Sequence, residues 1–314
     1  GISALPFSLR TSLYATKSVG KLHKELYDVL EELRKERNFQ VEAFVDAKVE
    51  MLNNYMSKNS LSACVVSVSG GIDSAVTVGL LDRAKKHPNT PIKEIVAVAQ
   101  PIHSTGSIQN RAFEHCEELG VKCITVDQSE LHTQLTGLVE KSLNVEANAF
   151  SKGQLRSYMR TPVNYFVAQL LAQQGKPAIV LGTGNYDEDG YLLYYCKCGD
   201  GIADVQLIND LHKSEVYTVG SYLNVPESIL TSKPSADLWE GQTDEDELGF
   251  GYDAVELYTA WKRKDLNWRN QKSQALSHKA AQQFKNVGEA IEAIHQRNKH
   301  KLNFPVNLNY QMLQ

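Results

Sequence analysis

Leu22, Leu26, Leu30 and Leu33 recur at three- and four-residue intervals among charged residues, which predicts an amphipathic helix over Lys21–Arg37. Asn38 reads as a cap, and beyond it Val45, Val49, Leu52 and Met56 predict a second helix. The period then changes. Ala63–Val68 is a short, β-branched run that ends at a glycine pair, the pattern of a buried parallel strand. Glu94–Ala99 and Val121–Val126 read the same way; between them Ile108, Ala112, Cys116 and Leu119 mark one helix face, closed by Gly120. A helical segment over Leu155–Gln174 and a Gly-Lys-Pro break lead into a fourth strand, Ala178–Leu181. Strands alternating with helices predict a doubly wound parallel α/β sheet with helices on both faces. Ligands of such sheets sit at the carboxyl ends of the strands, beside a topological switch. Asp237–Gly251, acidic and glycine-bearing, reads as a mobile loop, and Ala275–His300 as a further helix.

Composition narrows the class. With 314 residues, 42% hydrophobic and 22% charged, the chain has the make-up of an ordinary globular domain. No apolar run approaches the ~20 residues of a membrane span, so no membrane partner is expected. Lys+Arg 33 against Asp+Glu 37 leaves a net charge of −4, which argues against nucleic acid as the main partner. Five cysteines, without paired metal spacing, read as reduced thiols and point to a cytoplasmic protein. The start is acid-poor, with Glu25 the first acidic residue, a composition shared with transit peptides; it is read here as a frayed terminus. His103 and His212 show no metal spacing and are read as structural or solvated.

Chemistry enters directly after the first strand, at Ser69-Gly70-Gly71-Ile72-Asp73-Ser74, followed by the helical run Ala75–Arg83. Two glycines allow a tight turn that brings backbone N–H groups to a ligand, and the helix start adds unpaired N–H groups and a positive dipole end. Ser69 and Ser74 add hydroxyls, and Asp73 is a hard oxygen ligand suited to magnesium. Neither the lysine of the Walker loop nor the G-x-G-x-x-G dinucleotide fingerprint is present. The loop resembles the PP-loop of the ATP pyrophosphatases, which split ATP into AMP and pyrophosphate.

A second block separates the members of that superfamily. Val180-Leu-Gly-Thr-Gly-Asn-Tyr-Asp-Glu188 runs on through Lys197 to Gly199-Asp-Gly-Ile-Ala-Asp204, with Lys213 and Lys233-Pro-Ser-Ala-Asp-Leu238 beyond. This ordered series resembles the NAD synthetases from about Asn38 to Lys301. The resemblance implies a Rossmann-like sheet of the adenine nucleotide α-hydrolase type with extra helices at both termini. It also implies an extension over residues 1–38 and a single domain over 39–314. Asp73 and Glu188 take the positions of Mg2+ ligands. Ser69, Gly70, Gly71, Asp73, Ser74, Thr183, Lys213 and Ser235 take those of ATP contacts, Lys213 stabilising charge as pyrophosphate leaves. Arg156, Lys197, Asp204, His300 and Lys301 take positions that hold deamido-NAD. Alone, Lys213 would read as a solvated helix residue, Glu188 as part of an acidic turn and Arg156 as a surface charge; the ordered series raises them.

The implied reaction is amidation of deamido-NAD with ATP and ammonia through an acyl-adenylate, by a homodimer. Glutamine-using members carry an additional nitrilase-like domain. Only about sixty residues precede the loop, too few for one, so ammonia is the expected nitrogen source. Three departures stand out. Ala99-Gln-Pro-Ile102 lacks an Arg common at that place in ammonia-dependent members, the Glu188–Lys197 link is one residue longer, and the helix after Arg156 is longer. The competing readings are the same amidation on nicotinate mononucleotide, a tRNA-modifying PP-loop enzyme and an inactive nucleotide-binding module.

Overall fold

Alternation along the central strand decides the layering. In the computed structural model, which describes residues 21–104, 106–232, 244–303, 305 and 308, β1 (Ala63–Ser67) is fully enclosed from Ala63 to Val66. Successive side chains of a strand point to opposite faces. Cys64 and Val66 pack with Leu52, Met56, Val76 and Val219 on one side, and Ala63 and Val65 pack with Ala168 and Leu171 on the other. The first face is covered by the helices Val41–Lys58, Ile72–Lys86, Gly106–Leu119 and Lys213–Tyr222, the second by Ala149–Gln173.

Around β1 stand β2 (Glu94–Ala99), β3 (Lys122–Thr125), β4 (Ala178–Gly182) and the two-residue β5 (Val205–Gln206). All pairings are parallel and the order is β3-β2-β1-β4-β5. The chain leaves β1 toward β2 in one direction and returns to β4 on its other side, with Ala63 opposite Ala178 and Val66 opposite Leu181. The switch therefore lies between the carboxyl ends of β1 and β4, where the predicted loop emerges.

A further helical layer covers one end. Leu26, Leu30 and Leu33 of the helix Lys24–Arg37 pack with Leu257, Trp261 and Ala280, which belong to the helices Tyr252–Arg263 and His278–Asn298. Asn38 closes the first helix in the left-handed conformation at φ 46°, its N–H donating to the Arg34 carbonyl.

Several elements escape the sequence pattern. The helix Ser129–Leu143 buries only His132, so it lacks the apolar stripe turned inward that periodicity detects. β5 is too short to show a period. The long helix begins at Ala149, earlier than Leu155, because Asn148 caps it by accepting from the Ser151 N–H at 2.9 Å. The expected loop over Asp237–Gly251 is corrected in part: residues 237–243 lie outside the described residues, but Asp244–Leu248 is a short helix. Its Asp244 is buried and accepts from the Tyr252 hydroxyl at 3.0 Å. Tertiary contact orders what local composition leaves open. Residues 1–20 also lie outside the described residues. Among the described residues no helix is long and apolar enough to cross a membrane.

The shared packing gives a test. Leu30 is completely buried between the first helix and the two C-terminal helices. Leu30→Ala is expected to lower the unfolding free energy by about 2–5 kcal/mol in urea titration, the range for a truncated core leucine. A change below about 0.5 kcal/mol, typical of surface substitutions, would show that the helix packs elsewhere.

Candidate active site

The loop after β1 is held in shape by its own serines. Gly70 has φ 80°, a conformation open to glycine and costly for other residues. Ser69 Oγ accepts from the Gly71 N–H at 3.3 Å, and Ser74 Oγ donates to the Gly71 carbonyl at 3.2 Å. The helix Ile72–Lys86 starts from Gly71 with no side-chain cap, so its first turn offers donors to a ligand.

Across the switch, β4 runs into Thr183, Gly184 and Asn185. A Cβ on Gly184 would lie 1.9 Å from Asp189 Oδ2, so close approach of the acidic turn requires glycine there. Asn185, fully buried, connects the two loops: its Oδ1 accepts from the Glu188 N–H at 3.0 Å and its Nδ2 donates to Asp73 Oδ1 at 2.8 Å. Tyr186–Leu192 winds as a π-helix. That wider turn carries Asp187, Glu188 and Asp189.

Lys213 closes the constellation. Its ammonium lies 2.5 Å from Asp73 Oδ2 and 2.7 Å from Glu188 Oε1, with the Tyr252 ring centroid 5.2 Å away. Burial alone would depress the Lys213 pKa, but Asp73 and Glu188 outweigh it and hold the ammonium above its ordinary range. Burial pushes the Asp73 carboxyl up against the pull of Lys213. Burial also opposes ionisation of Glu188, but Lys213 with hydrogen bonds from Tyr252 and Asn185 brings it below the usual carboxylate range.

Lys213 is aimed by its own backbone. Its N–H donates to Asp187 Oδ2 at 2.8 Å, while Asp187 Oδ1 shares a 2.7 Å hydrogen bond with His212 Nδ1. Asp187 is wholly buried, and that burial raises its carboxyl.

A cavity of about 630 Å³ opens onto these groups, a size suited to a small-molecule ligand. Ser69, Gly70, Gly71, Asp73, Ser74, Thr183, Glu188 and Lys213 line it, as do Lys197, His300 and Lys301. Lys197 Nζ donates to the carbonyls of His300 (3.4 Å) and Asn303, and Lys301 Nζ donates to the Leu193 carbonyl at 2.9 Å. Both lysines tie the C-terminal segment to the turn after the π-helix.

Two expected residues stand outside the cavity lining. Asp204 accepts from the Val180 N–H at 2.8 Å and from the Tyr165 hydroxyl at 3.3 Å, joining the segment before β5 to β4. Arg156 is absent from the lining, whereas Arg160, one turn later on the same helix, is part of it and donates to the Gln100 carbonyl at 3.4 Å. Ser235 lies outside the described residues.

Sequence reasoning passed over Asn185, Asp189, Asp200 and Arg160. The first three fall within the quoted second block, so their position was in view although their role was not. Asp200 accepts from the Ser157 hydroxyl at 3.1 Å and the Cys196 N–H at 2.8 Å. Burial raises both Asp189 and Asp200, the former helped by the negative charges of Asp200 and Glu188. Gln100, at the departure after β2, is buried and committed to neighbours: it donates to Asn164 at 2.7 Å and accepts from Gln128 at 2.8 Å.

For a metal, the described residues contain no group of three or more His, Cys, Asp or Glu side chains arranged as ligands. Asp73 and Glu188 nevertheless converge on one cationic position. Two carboxylates completed by phosphate oxygens and water are a characteristic magnesium environment, so the donor set fits that ion.

The parallel sheet, the Gly-rich loop at its switch with the uncapped helix that follows it, and the two carboxylates paired with Lys213 define a nucleotide-binding α/β protein of the PP-loop class. Residues 44–305 match the NAD synthase family. The NH3-dependent NAD+ synthetase of Mesoplasma florum is 33% identical over 228 residues, covering 73% of this chain and 88% of the relative. The structure of NMN synthetase from Francisella tularensis aligns with a TM-score of 0.70 at 27% identity, covering 87% of this chain and all (100%) of that one. The NH3-dependent NAD synthetase of Campylobacter jejuni, in complex with the nitrate ion, shares the fold with a TM-score of 0.64 at 20% identity, over 86% of this chain and 100% of that one. The chain belongs to the NAD synthase family, whose members are carbon–nitrogen ligases.

Asp244 supplies a test of the electrostatics. Burial first, and then the charge of Glu188, push its carboxyl from the model-peptide value of 3.8 up to about 7. A raised folded-state pKa contributes stability at acid pH that is lost as pH rises through the folded value. Relative to Asp244→Asn, the wild-type protein should therefore lose unfolding free energy between about pH 4 and pH 7. Parallel pH–stability curves for the two proteins would contradict that environment.

Proposed function

We propose that this chain adenylates the nicotinate carboxylate of deamido-NAD with ATP and then converts it to the amide with ammonia, giving NAD, AMP and pyrophosphate. One observation carries the reading: a buried ammonium, Lys213, is fixed between Asp73 and Glu188 opposite the N–H groups of the Ser69–Ser74 loop. That arrangement suits a triphosphate that must lose pyrophosphate.

In this mechanism a carboxylate oxygen attacks the α-phosphorus of ATP as the bond to pyrophosphate breaks. Charge that develops on the departing phosphates meets Lys213, the loop N–H groups and the Ser69 and Ser74 hydroxyls, all preorganised. Asp73 and Glu188 would hold Mg2+, which when bound neutralises phosphate charge. Thr183 and Ser235 complete the ATP contacts. Ammonia then attacks the activated carbonyl carbon; the C–N bond forms, AMP leaves with the former carboxylate oxygen, and a proton is released. Lys197, His300 and Lys301 border the dinucleotide, with Arg160 joining them from the cavity wall. Arg156 and Asp204 keep the place beside the dinucleotide that the family resemblance implies, Asp204 also tying the segment before β5 to β4.

Residues 1–38 are an extension to a single domain over 39–314, consistent with a family match beginning at residue 44. Five free thiols suit a reducing cytoplasmic setting. The chain acts as a homodimer: Leu138, Leu143 and Phe166 are more than half exposed on the two helices that follow β3, an apolar surface of the kind subunits cover. A second reading, amidation of nicotinate mononucleotide, is favoured by the likeness to the Francisella tularensis NMN synthetase.

A substrate panel tests the reading. Sustained, multiple-turnover pyrophosphate release is expected with deamido-NAD, ATP, Mg2+ and ammonia, and no turnover beyond a first stoichiometric release when glutamine replaces ammonia. Preference for nicotinate mononucleotide would transfer the assignment to the second reading, and absence of release with either would reject both. Lys213→Met should lower kcat by about 10²–10³, as for loss of a preorganised charge-stabilising group.

A further inference from the structure

The helix Lys24–Arg37 precedes the region that matches the family, which starts at residue 44. Its last turn nonetheless reaches the start of the helix that presents Lys213. Arg37 Nε donates to Glu215 Oε1, and Arg37 Nη2 donates to Glu215 Oε2 at 3.0 Å. Glu215 in turn accepts from the His212 N–H at 2.9 Å, and so fixes the residue that leads into Lys213. Arg37 Nη2 also donates to the Asp210 carbonyl at 3.1 Å.

One turn earlier, Arg34 forms a fork with Glu256, Nε to Oε1 at 3.0 Å and Nη2 to Oε2 at 2.6 Å. Glu256 accepts from the Ser214 hydroxyl at 2.8 Å. The two glutamate side chains are 8% and 4% exposed. Paired planar forks at buried carboxylates restrict direction as well as distance. The residues on either side of Lys213, His212 and Ser214, are thus both tied to carboxylates that the first helix holds in place.

We propose that Arg37 and Arg34 are positioning residues for Lys213, so that the N-terminal helix is part of the machinery that sets its ammonium between Asp73 and Glu188. The inference rests on Lys213 acting on the phosphates as described above. It goes beyond that reading because it gives a catalytic consequence to a segment outside the matched family region. A shift of Lys213 by a fraction of a hydrogen-bond length weakens contacts made as pyrophosphate leaves more than it weakens ground-state binding.

The test is steady-state kinetics of pyrophosphate release for full-length Arg37→Gln, Arg37→Lys, Ile92→Ala and Lys213→Met, below their melting temperatures. Arg37→Gln should lower kcat about tenfold to a hundredfold with KM for ATP changed less than about threefold. Arg37→Lys should fall between it and the wild type, because an ammonium restores charge without the fork. Ile92→Ala opens the main core just before the amino end of β2, away from that helix and from the cavity lining; it should lower the melting temperature and keep kcat within about twofold. Combining Arg37→Gln with Glu215→Gln should reduce kcat no further than the worse single variant, the sign of a coupled pair.

If Lys213→Met lowers kcat as expected but Arg37→Gln keeps wild-type kcat, the positioning role is overturned and the site reading stands. Equal loss of kcat in Ile92→Ala and Arg37→Gln would also overturn it, since general loosening would then explain both. Wild-type kcat in Lys213→Met would overturn the positioning role and the site reading together.

Discussion

A single buried ammonium shared by two carboxylates organises this molecule. Asp73 and Glu188 come from opposite sides of the sheet's switch point, and two like charges in an enclosed site repel unless a cation stands between them. Lys213 is that cation, drawn within hydrogen-bond range of both. The supporting structure follows from this constraint. Asn185 joins the loops that carry the carboxylates, Asp187 and His212 hold the lysine's backbone, and the π-helix sets Glu188 at the required turn.

The sheet explains why these groups meet. β1 and β4 are neighbours in space although more than a hundred residues apart, and their carboxyl ends open in the same direction because the pairing is parallel. The Gly-rich loop and the acidic turn therefore face each other by topology. A ligand with several phosphates finds N–H donors on one side and a held cation on the other, with a cavity extending toward the C-terminal helix.

Much of this was legible in the chain, for identifiable reasons. β1 and β2 are continuous β-branched runs, and Ser69–Ser74 places glycines, hydroxyls and a carboxylate where a strand gives way to a helix. The ordered block from Thr183 to Lys213 carried the family resemblance and several of the cavity-lining residues, Thr183, Glu188, Lys197 and Lys213 among them. What escaped depends on three-dimensional phase. Arg156 and Arg160 stand one turn apart on one helix, and only the packed orientation shows which lines the cavity. Asp204 sits in a motif that suggests a ligand contact, and only the fold shows that its carboxylate also accepts from the Val180 N–H and the Tyr165 hydroxyl. The Arg37–Glu215 link spans 178 residues, a separation at which no local spacing rule operates.

The central claim is that this site transfers adenylate from ATP to a carboxylate before nitrogen is added. Oxygen tracing in the wild-type enzyme tests it most directly, using deamido-NAD labelled with heavy oxygen in the nicotinate carboxylate, together with ATP and ammonia. The account predicts that the AMP released carries one labelled oxygen and that the pyrophosphate carries none. Label in pyrophosphate or orthophosphate, or unlabelled AMP formed alongside the amide, would contradict it.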